Sequence, residues 1–251
     1  MDRCIYEDKD HKVILLGFGE SAKEEGVPSN QYLIVHKDQG VLIDPGGFGL
    51  FPSLLSRLLK YVEVSGIKAI FLSHQDPDVS GGVNIWAEVT SANIYISKIW
   101  LRFIPHYDLK DASKITPIEE GINEVEISKG FVLKIIPAHF LHSPGQINIY
   151  DPISKVLFSG DIGASMLPCS KNILFVEDFD EFLPCIEKFH VRYMASNKAI
   201  RIWLSYIKDL DIDIIAPQHG FLFKGEVKDK FLKWLSDLKC GVDIIEEINN
   251  K

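Results

Sequence analysis

Four short polar motifs stand out in this sequence of 251 residues, and each follows an apolar run that predicts a β-strand. The first motif is SHQDPD at 73–78, and the others are LHSPG at 141–145, FSGD at 158–161 and APQHG at 216–220. In α/β folds, polar ligands gather at the carboxyl ends of strands. The four motifs therefore predict a shared polar site at one edge of a sheet.

The first motif places His74, Asp76 and Asp78 at alternate positions. Side chains at alternate positions of an extended backbone point the same way, and Pro77 disfavours helical geometry at Asp76. These three side chains are thus predicted to converge on a metal ion. Taken alone, the motif would suit a polar loop that caps the next helix equally well, but three further motifs of the same kind favour the metal site.

The rest of the chain predicts an α/β fold. Strand-like runs such as QYLIVHK, GVLID, FVLKIIPA and QINIYD alternate with runs of helical periodicity such as PSLLSRLLKYVEV, ISKIWLRFIPHYDL and KDKFLKWLSDLKCGVDIIEEI. QYLIVHKDQGVLID predicts a hairpin that turns at KDQG. The pattern favours two mixed sheets covered by outer helices, in one domain that spans residues 1–251.

The composition excludes some classes of binding partner and predicts a cellular location. The net charge is −8 and the sequence has no basic stripe, so neither nucleic acid nor an acidic membrane surface is an expected partner. No apolar run approaches the roughly 20 residues of a membrane helix. None of the four cysteines lies in a C-x-x-C pair, which predicts reduced thiols and a cytoplasmic protein.

The order of the four motifs resembles the metallo-β-lactamase superfamily over residues 12–225, and QYLIV…GVLIDPGG resembles the hairpin that opens that fold. The resemblance implies a four-layer αββα sandwich with a binuclear metal site at one edge of its two sheets. The hydrolases of the superfamily use H-x-H-x-D-H, whereas Asp76 and Val79 replace two of those histidines here. A carboxylate at the middle position is similar to the H-x-E-x-D pattern of the flavodiiron branch.

That branch implies two metal ions bridged by Asp161. The resemblance assigns the other ligands as His74, Asp76 and His142 on the first ion, and Asp78 and His219 on the second. His139 is the alternative to His142. Val79 removes an imidazole and implies an open position on the second ion. Tyr193 resembles a tyrosine near the irons of flavodiiron proteins, although a packing role suits it equally.

Carboxylate ligands favour iron over zinc, with zinc or manganese as alternatives. Flavodiiron proteins carry a flavodoxin domain after this one, and this chain is expected to lack such a domain. The resemblance thus implies a stand-alone diiron protein that binds or slowly reduces dioxygen or nitric oxide, as a sensor or redox-responsive protein. It also implies a homodimer and a signalling partner. The alternatives are a hydrolase of an ester, thioester or phosphodiester, and a reductase with a separate electron donor.

Overall fold

The computed structural model describes residues 1–17, 27–109, 111–165 and 173–249. The strands are β1 Arg3–Glu7, β2 His11–Leu16, β3 Gln31–His36, β4 Gln39–Ile43, β5 Ile67–Leu72, β6 Asn93–Ser97, β7 Ile115–Ile118, β8 Asn123–Ser128, β9 Phe131–Pro137, β10 Ile147–Asp151, β11 Val156–Phe158, β12 Ile214–Ala216 and β13 Phe223–Lys224. The α-helices are α1 Phe51–Leu58, α2 Pro77–Ser80, α3 Val83–Val89, α4 Phe179–Tyr193, α5 Asn197–Ile207, α6 Gly225–Asp237 and α7 Ile245–Asn249.

The strands form two mixed sheets. The first sheet runs in the order β1-β2-β3-β4-β5-β6-β7, antiparallel up to β4 and parallel from β4 to β7. The second runs β13-β12-β11-β10-β9-β8, and its strands are antiparallel except for the pair β11 and β12. The predicted hairpin is present as β3 and β4, with a turn at Lys37 and Asp38.

Three hydrophobic clusters hold four layers together. One lies between the two sheets, where side chains such as Phe71 of the first sheet meet Phe158 of the second. Another packs the outer face of the first sheet against α1 and α3, and the third packs the second sheet against α4, α5 and α6. Strands buried on both faces are expected to be continuously apolar, as β11 and β12 are. The predicted αββα sandwich is confirmed.

This topology brings the polar motifs to one edge. SHQDPD follows β5, FSGD closes β11 and APQHG closes β12. LHSPG lies in the connection from β9 to β10, and the Ile147 N–H donates to the Ser73 carbonyl (2.9 Å), which ties that connection to the first motif across the two sheets.

Two predicted helices differ from the structure. The predicted helical run 96–109 begins within β6 and then contains only the short 3₁₀ helices Lys98–Trp100 and Ile104–Tyr107, because Pro105 lacks an N–H group and restricts the residue before it. The predicted closing helix ends at Asp237, and a 3₁₀ turn over Gly241–Ile244 separates it from α7. The apolar runs do not predict the strands β1, β7 and β13.

The expectation of four reduced thiols is wrong for Cys185, which is disulfide-bonded. Cys4 and Cys240 are free, and Cys169 lies outside the described residues. Among the described helices, none combines the length and the apolar composition needed to cross a bilayer.

Candidate metal centre

The first group of predicted ligands converges around Asp76. Its Oδ2 lies 2.9 Å from His142 Nε2 and 3.6 Å from His74 Nε2. Asp161 Oδ2 lies 3.6 Å from His142 Nε2 on the other side of the group. One donor atom from each of His74, His142 and Asp161 lies within 4.8 Å of the other two. Four of the six predicted ligands therefore face one point at the sheet edge.

The second group forms around His219. Its Nε2 lies 3.2 Å from Asp78 Oδ2 and 3.7 Å from Asp161 Oδ1. Asp161 Oδ1 also lies 3.9 Å from His74 Nε2. The Asp161 carboxylate thus lies between the two groups, with Oδ2 towards His142 and Oδ1 towards His219. That is the position the sequence predicts for a bridging residue.

One unpartnered atom tests whether these residues fit a metal. Asp161 Oδ1 is buried and has no hydrogen-bond partner, although His74 and His219 both point a nitrogen at it. Two donors that share an ion, each about 2.1 Å away at a tetrahedral angle, lie about 3.4 Å apart. The gaps of 3.9 and 3.7 Å from Asp161 Oδ1 to His74 Nε2 and His219 Nε2 are too long for hydrogen bonds and close to that spacing. Although His142 and Asp76 are within hydrogen-bond distance, the surroundings of Asp161 Oδ1 therefore fit a metal ion better than a direct hydrogen bond.

The Nδ1 atoms of two of the predicted histidine ligands, which face away from the centre, also have polar partners. His219 Nδ1 donates to the Pro28 carbonyl (2.7 Å), and Ser73 Oγ lies 2.9 Å from His74 Nδ1. Such contacts fix the ring and direct Nε2 towards the centre. The buried Asp44 accepts a hydrogen bond from the Ser73 backbone N–H (2.8 Å), so it orders the start of the loop that carries the first motif.

Electrostatics favour positive charge in the site. Burial by itself disfavours a charged His74, yet the carboxylates of Asp161 and Asp76 raise the pKa of His74 to about 9. Burial likewise opposes ionisation of Asp76, but His142 and His74 hold the pKa of Asp76 well below its usual range. Asp78, beside His219, has a lowered pKa for the same reason. Metal cations would replace protons that the carboxylates already attract.

The loop that presents His142 has an unusual backbone. Phe140 (φ 64°) and His142 (φ 80°) both adopt left-handed conformations, which cost roughly 1–3 kcal/mol for residues other than glycine. A hydrogen bond from the Phe140 N–H to the Ser143 carbonyl (3.0 Å) closes the turn between them. The turn directs His142, rather than His139, towards the other predicted ligands.

A cavity of about 840 Å³ opens over both groups. Its apolar wall comes from Val27, Pro28 and the face of α4, where Phe189 and Tyr193 stack with centroids 4.8 Å apart. Tyr193 lies 5.6 Å from the His142 ring and is 54% exposed, so it covers the site without being enclosed. Val79, by contrast, is fully buried in the cluster beneath α1 and α3, and its side chain belongs to the core.

Sequence reasoning missed a buried contact behind the Asp161 loop. His190 Nε2 accepts a hydrogen bond from the Gly163 N–H (2.9 Å), and its Nδ1 donates to the Ile186 carbonyl (2.8 Å). Gly163 has a φ of 98°, and a Cβ there would lie 2.9 Å from the Phe223 ring. Helical spacing alone predicts a packing role for His190, and no local pattern reveals the distant loop that it supports.

Comparison with known proteins identifies the family. Residues 27–220 match the model of the ODP family beta lactamase. The chain belongs to this ODP beta-lactamase family. A structure described as the peroxy diiron species of the chemotaxis sensor ODP is 47% identical, with a TM-score of 0.88 over 98% of this chain and 99% of that chain. The apo state of the sensor from T. denticola is 46% identical, with a TM-score of 0.90 over 99% and 98%.

Longer proteins also resemble this ODP-family chain. Diflavin flavoprotein A 1 of Synechocystis sp. is 25% identical over 240 residues, which cover 92% of this chain and 40% of the flavoprotein. An uncharacterized protein of Methanocaldococcus jannaschii is 28% identical over 213 residues, or 83% of this chain and 53% of its own length. The chain thus spans about half or less of the length of these curated relatives.

Proposed function

We propose that this ODP-family chain is a diiron protein that binds dioxygen and acts as a sensor. The observation that carries the proposal is the Asp161 carboxylate, buried between two groups of histidine and aspartate donors, with one oxygen towards each. His74, Asp76, His142 and Asp161 would hold one iron, and Asp78, Asp161 and His219 the other. Two irons held there would supply the binding and reduction of dioxygen.

Two further features support iron as the metal and dioxygen as the ligand. Three carboxylates among six donors suit iron better than the nitrogen-rich and sulfur-rich sites typical of zinc. The 47% identical relative is described as a peroxy diiron species of a chemotaxis sensor, with nearly complete coverage of both chains. We extend that role to this chain, together with a signalling partner, a homodimer and a cytoplasmic location. Nitric oxide is a second diatomic ligand for the same site.

The proposal is tested on protein expressed with excess iron and purified without oxygen. Elemental analysis is expected to find two irons per chain, and the visible spectrum is expected to change when oxygen is admitted. Nitric oxide in place of oxygen tests the second ligand. The proposal would be contradicted if the protein retains two zinc ions under these conditions and its visible spectrum does not change when oxygen is admitted. Sustained oxygen consumption with an added electron donor would indicate a reductase instead of a sensor.

The cavity favours a second candidate, a metal-dependent hydrolase. Its volume of about 840 Å³ far exceeds the space that a diatomic molecule needs, and it opens directly over the metal centre. Chromogenic ester, thioester and phosphodiester substrates, offered to zinc-loaded and iron-loaded protein, test this candidate. Turnover of a substrate by wild type that is lost in Asp161→Asn would support hydrolysis. No turnover with any of the three substrate classes would exclude the hydrolase candidate.

A further inference from the structure

Gln75 lies between two predicted ligands and uses both ends of its side-chain amide. Its Nε2 donates to Asp76 Oδ1 (2.8 Å), and its Oε1 accepts from Ser143 Oγ (2.7 Å). The Gln75 backbone carbonyl accepts a further hydrogen bond from the Tyr107 hydroxyl. The residue is thus fixed on three sides, and its amide has one defined orientation.

The hydrogen bond to Asp76 decides which carboxylate oxygen is available. Oδ1 is occupied by the Gln75 amide, whereas Oδ2 faces His142 and His74 at 2.9 and 3.6 Å. A carboxylate held in this way presents one oxygen to the centre. Without the amide, the side chain can rotate and present both oxygens.

The contact to Ser143 joins two loops from different sheets. Gln75 follows β5 of the first sheet, and Ser143 follows His142 in the connection between β9 and β10 of the second. The His142 turn contains two left-handed residues, so it depends on contacts from outside the loop to stay closed. The amide of Gln75 supplies one such contact directly beside the predicted ligand.

We propose that Gln75 is a positioning residue that clamps the Asp76 and His142 loops together and restricts Asp76 to one oxygen at the first metal position. This inference rests on the proposed metal centre and adds the device that sets its geometry. Outer contacts of this kind commonly change metal affinity by 10–100-fold. Gln75 itself donates no atom to a metal in this scheme.

The test uses Co²⁺ as the probe, because its visible absorption reports coordination number directly. Wild type, Gln75→Leu, Gln75→Glu and Ser143→Ala are titrated with Co²⁺ against a competing chelator, and the thermal midpoint of each metal-free protein is measured. Glutamate keeps an acceptor for Ser143 but loses the donor to Asp76. The matched control is Gln39→Leu, since Gln39 is also half-buried and begins β4, at the opposite end of the parallel strands.

We expect Gln75→Leu to lower the affinity for one of two Co²⁺ ions by about 10–100-fold and to change the absorption band. Gln75→Glu should change the band as well, and Ser143→Ala should weaken affinity less. The metal-free midpoints should stay within about 4 °C of wild type. An unchanged affinity and band in Gln75→Leu overturns the inference, and so does an equal effect in Gln39→Leu. A wild type that fails to bind two Co²⁺ ions overturns the proposed function instead.

Discussion

The contact between His190 and Gly163 gives a prediction whose sign and size follow from the structure. His190 is completely buried, and burial lowers the pKa of His190 from 6.5 to about 4. Its neutral ring accepts the Gly163 N–H through Nε2. In His190→Gln, the amide oxygen can take the place of Nε2 as acceptor, but it does not titrate. The substitution therefore removes the charge change and keeps the hydrogen bond to the loop.

The direction follows from the two pKa values. The folded protein favours neutral His190, so this contribution to stability is complete above pH 6.5 and is lost as the pH falls towards 4. At 1.36 kcal/mol per pH unit, the full loss is about 3 kcal/mol, of which about 2 kcal/mol is lost by pH 5. We expect the free energy of unfolding of wild type, minus that of His190→Gln, to fall by about 2 kcal/mol from pH 7.5 to pH 5.

Urea unfolding of the metal-free proteins, measured in chelator at pH 7.5, 6 and 5, gives this difference. The residues of the metal centre are the same in both proteins, so their contribution cancels in the comparison. His106→Gln is the control because the His106 side chain is exposed. If the difference between wild type and His190→Gln stays constant over this range, the pKa of His190 is not lowered and the reasoning is wrong.

Three other predictions follow from the site and the core. Asp161→Asn should remove more metal than Asp78→Ala, since Asp161 faces both groups; equal metal contents by elemental analysis would count against a bridge. Val79→His should lower the free energy of unfolding by about 1–3 kcal/mol and add no ligand, because the side chain lies in the core; stronger metal binding on titration would refute this. Trp203→Phe should cost about 1–3 kcal/mol in urea, because it leaves the buried Asn148 Oδ1 without the indole N–H at 2.7 Å.

The fold was predictable because strand runs and polar motifs alternate in a strict order. β11 and β12 are short and continuously apolar, and β5 is apolar except for the exposed Lys68. Each of the three is followed within a few residues by a predicted ligand. The spacing of residues within each motif determines which side chains lie at the end of the preceding strand. The order of the strands in the sheets brings those ends together. The structure accordingly gathers all six predicted ligands at one edge, and their assignment as ligands remains part of the proposal.

The supporting contacts could not be predicted in the same way. Gln75 reaches Ser143 across 68 residues of sequence, and His190 reaches Gly163 across 27. Each pair depends on how two elements pack, and neither has a spacing that repeats along the chain. The predicted helix at 96–109 was wrong for a different reason, because apolar spacing alone does not take account of the backbone restriction that Pro105 imposes.

At Val79, the alternation of side chains that an extended backbone predicts no longer holds. The backbone is extended at Asp76 (ψ 149°), but α2 begins at Pro77, and the Ser80 N–H donates to the Asp76 carbonyl (2.8 Å). Once the chain becomes helical, successive side chains diverge by about 100°, so Val79 turns into the core while Asp78 still faces His219. The Val79 side chain therefore does not border the metal centre. In the proposed centre, the second group keeps three protein donors against four in the first. The second metal position therefore has fewer protein donors, and it lies beneath a cavity bordered by Val27 and Pro28. We expect an external ligand to bind at that position.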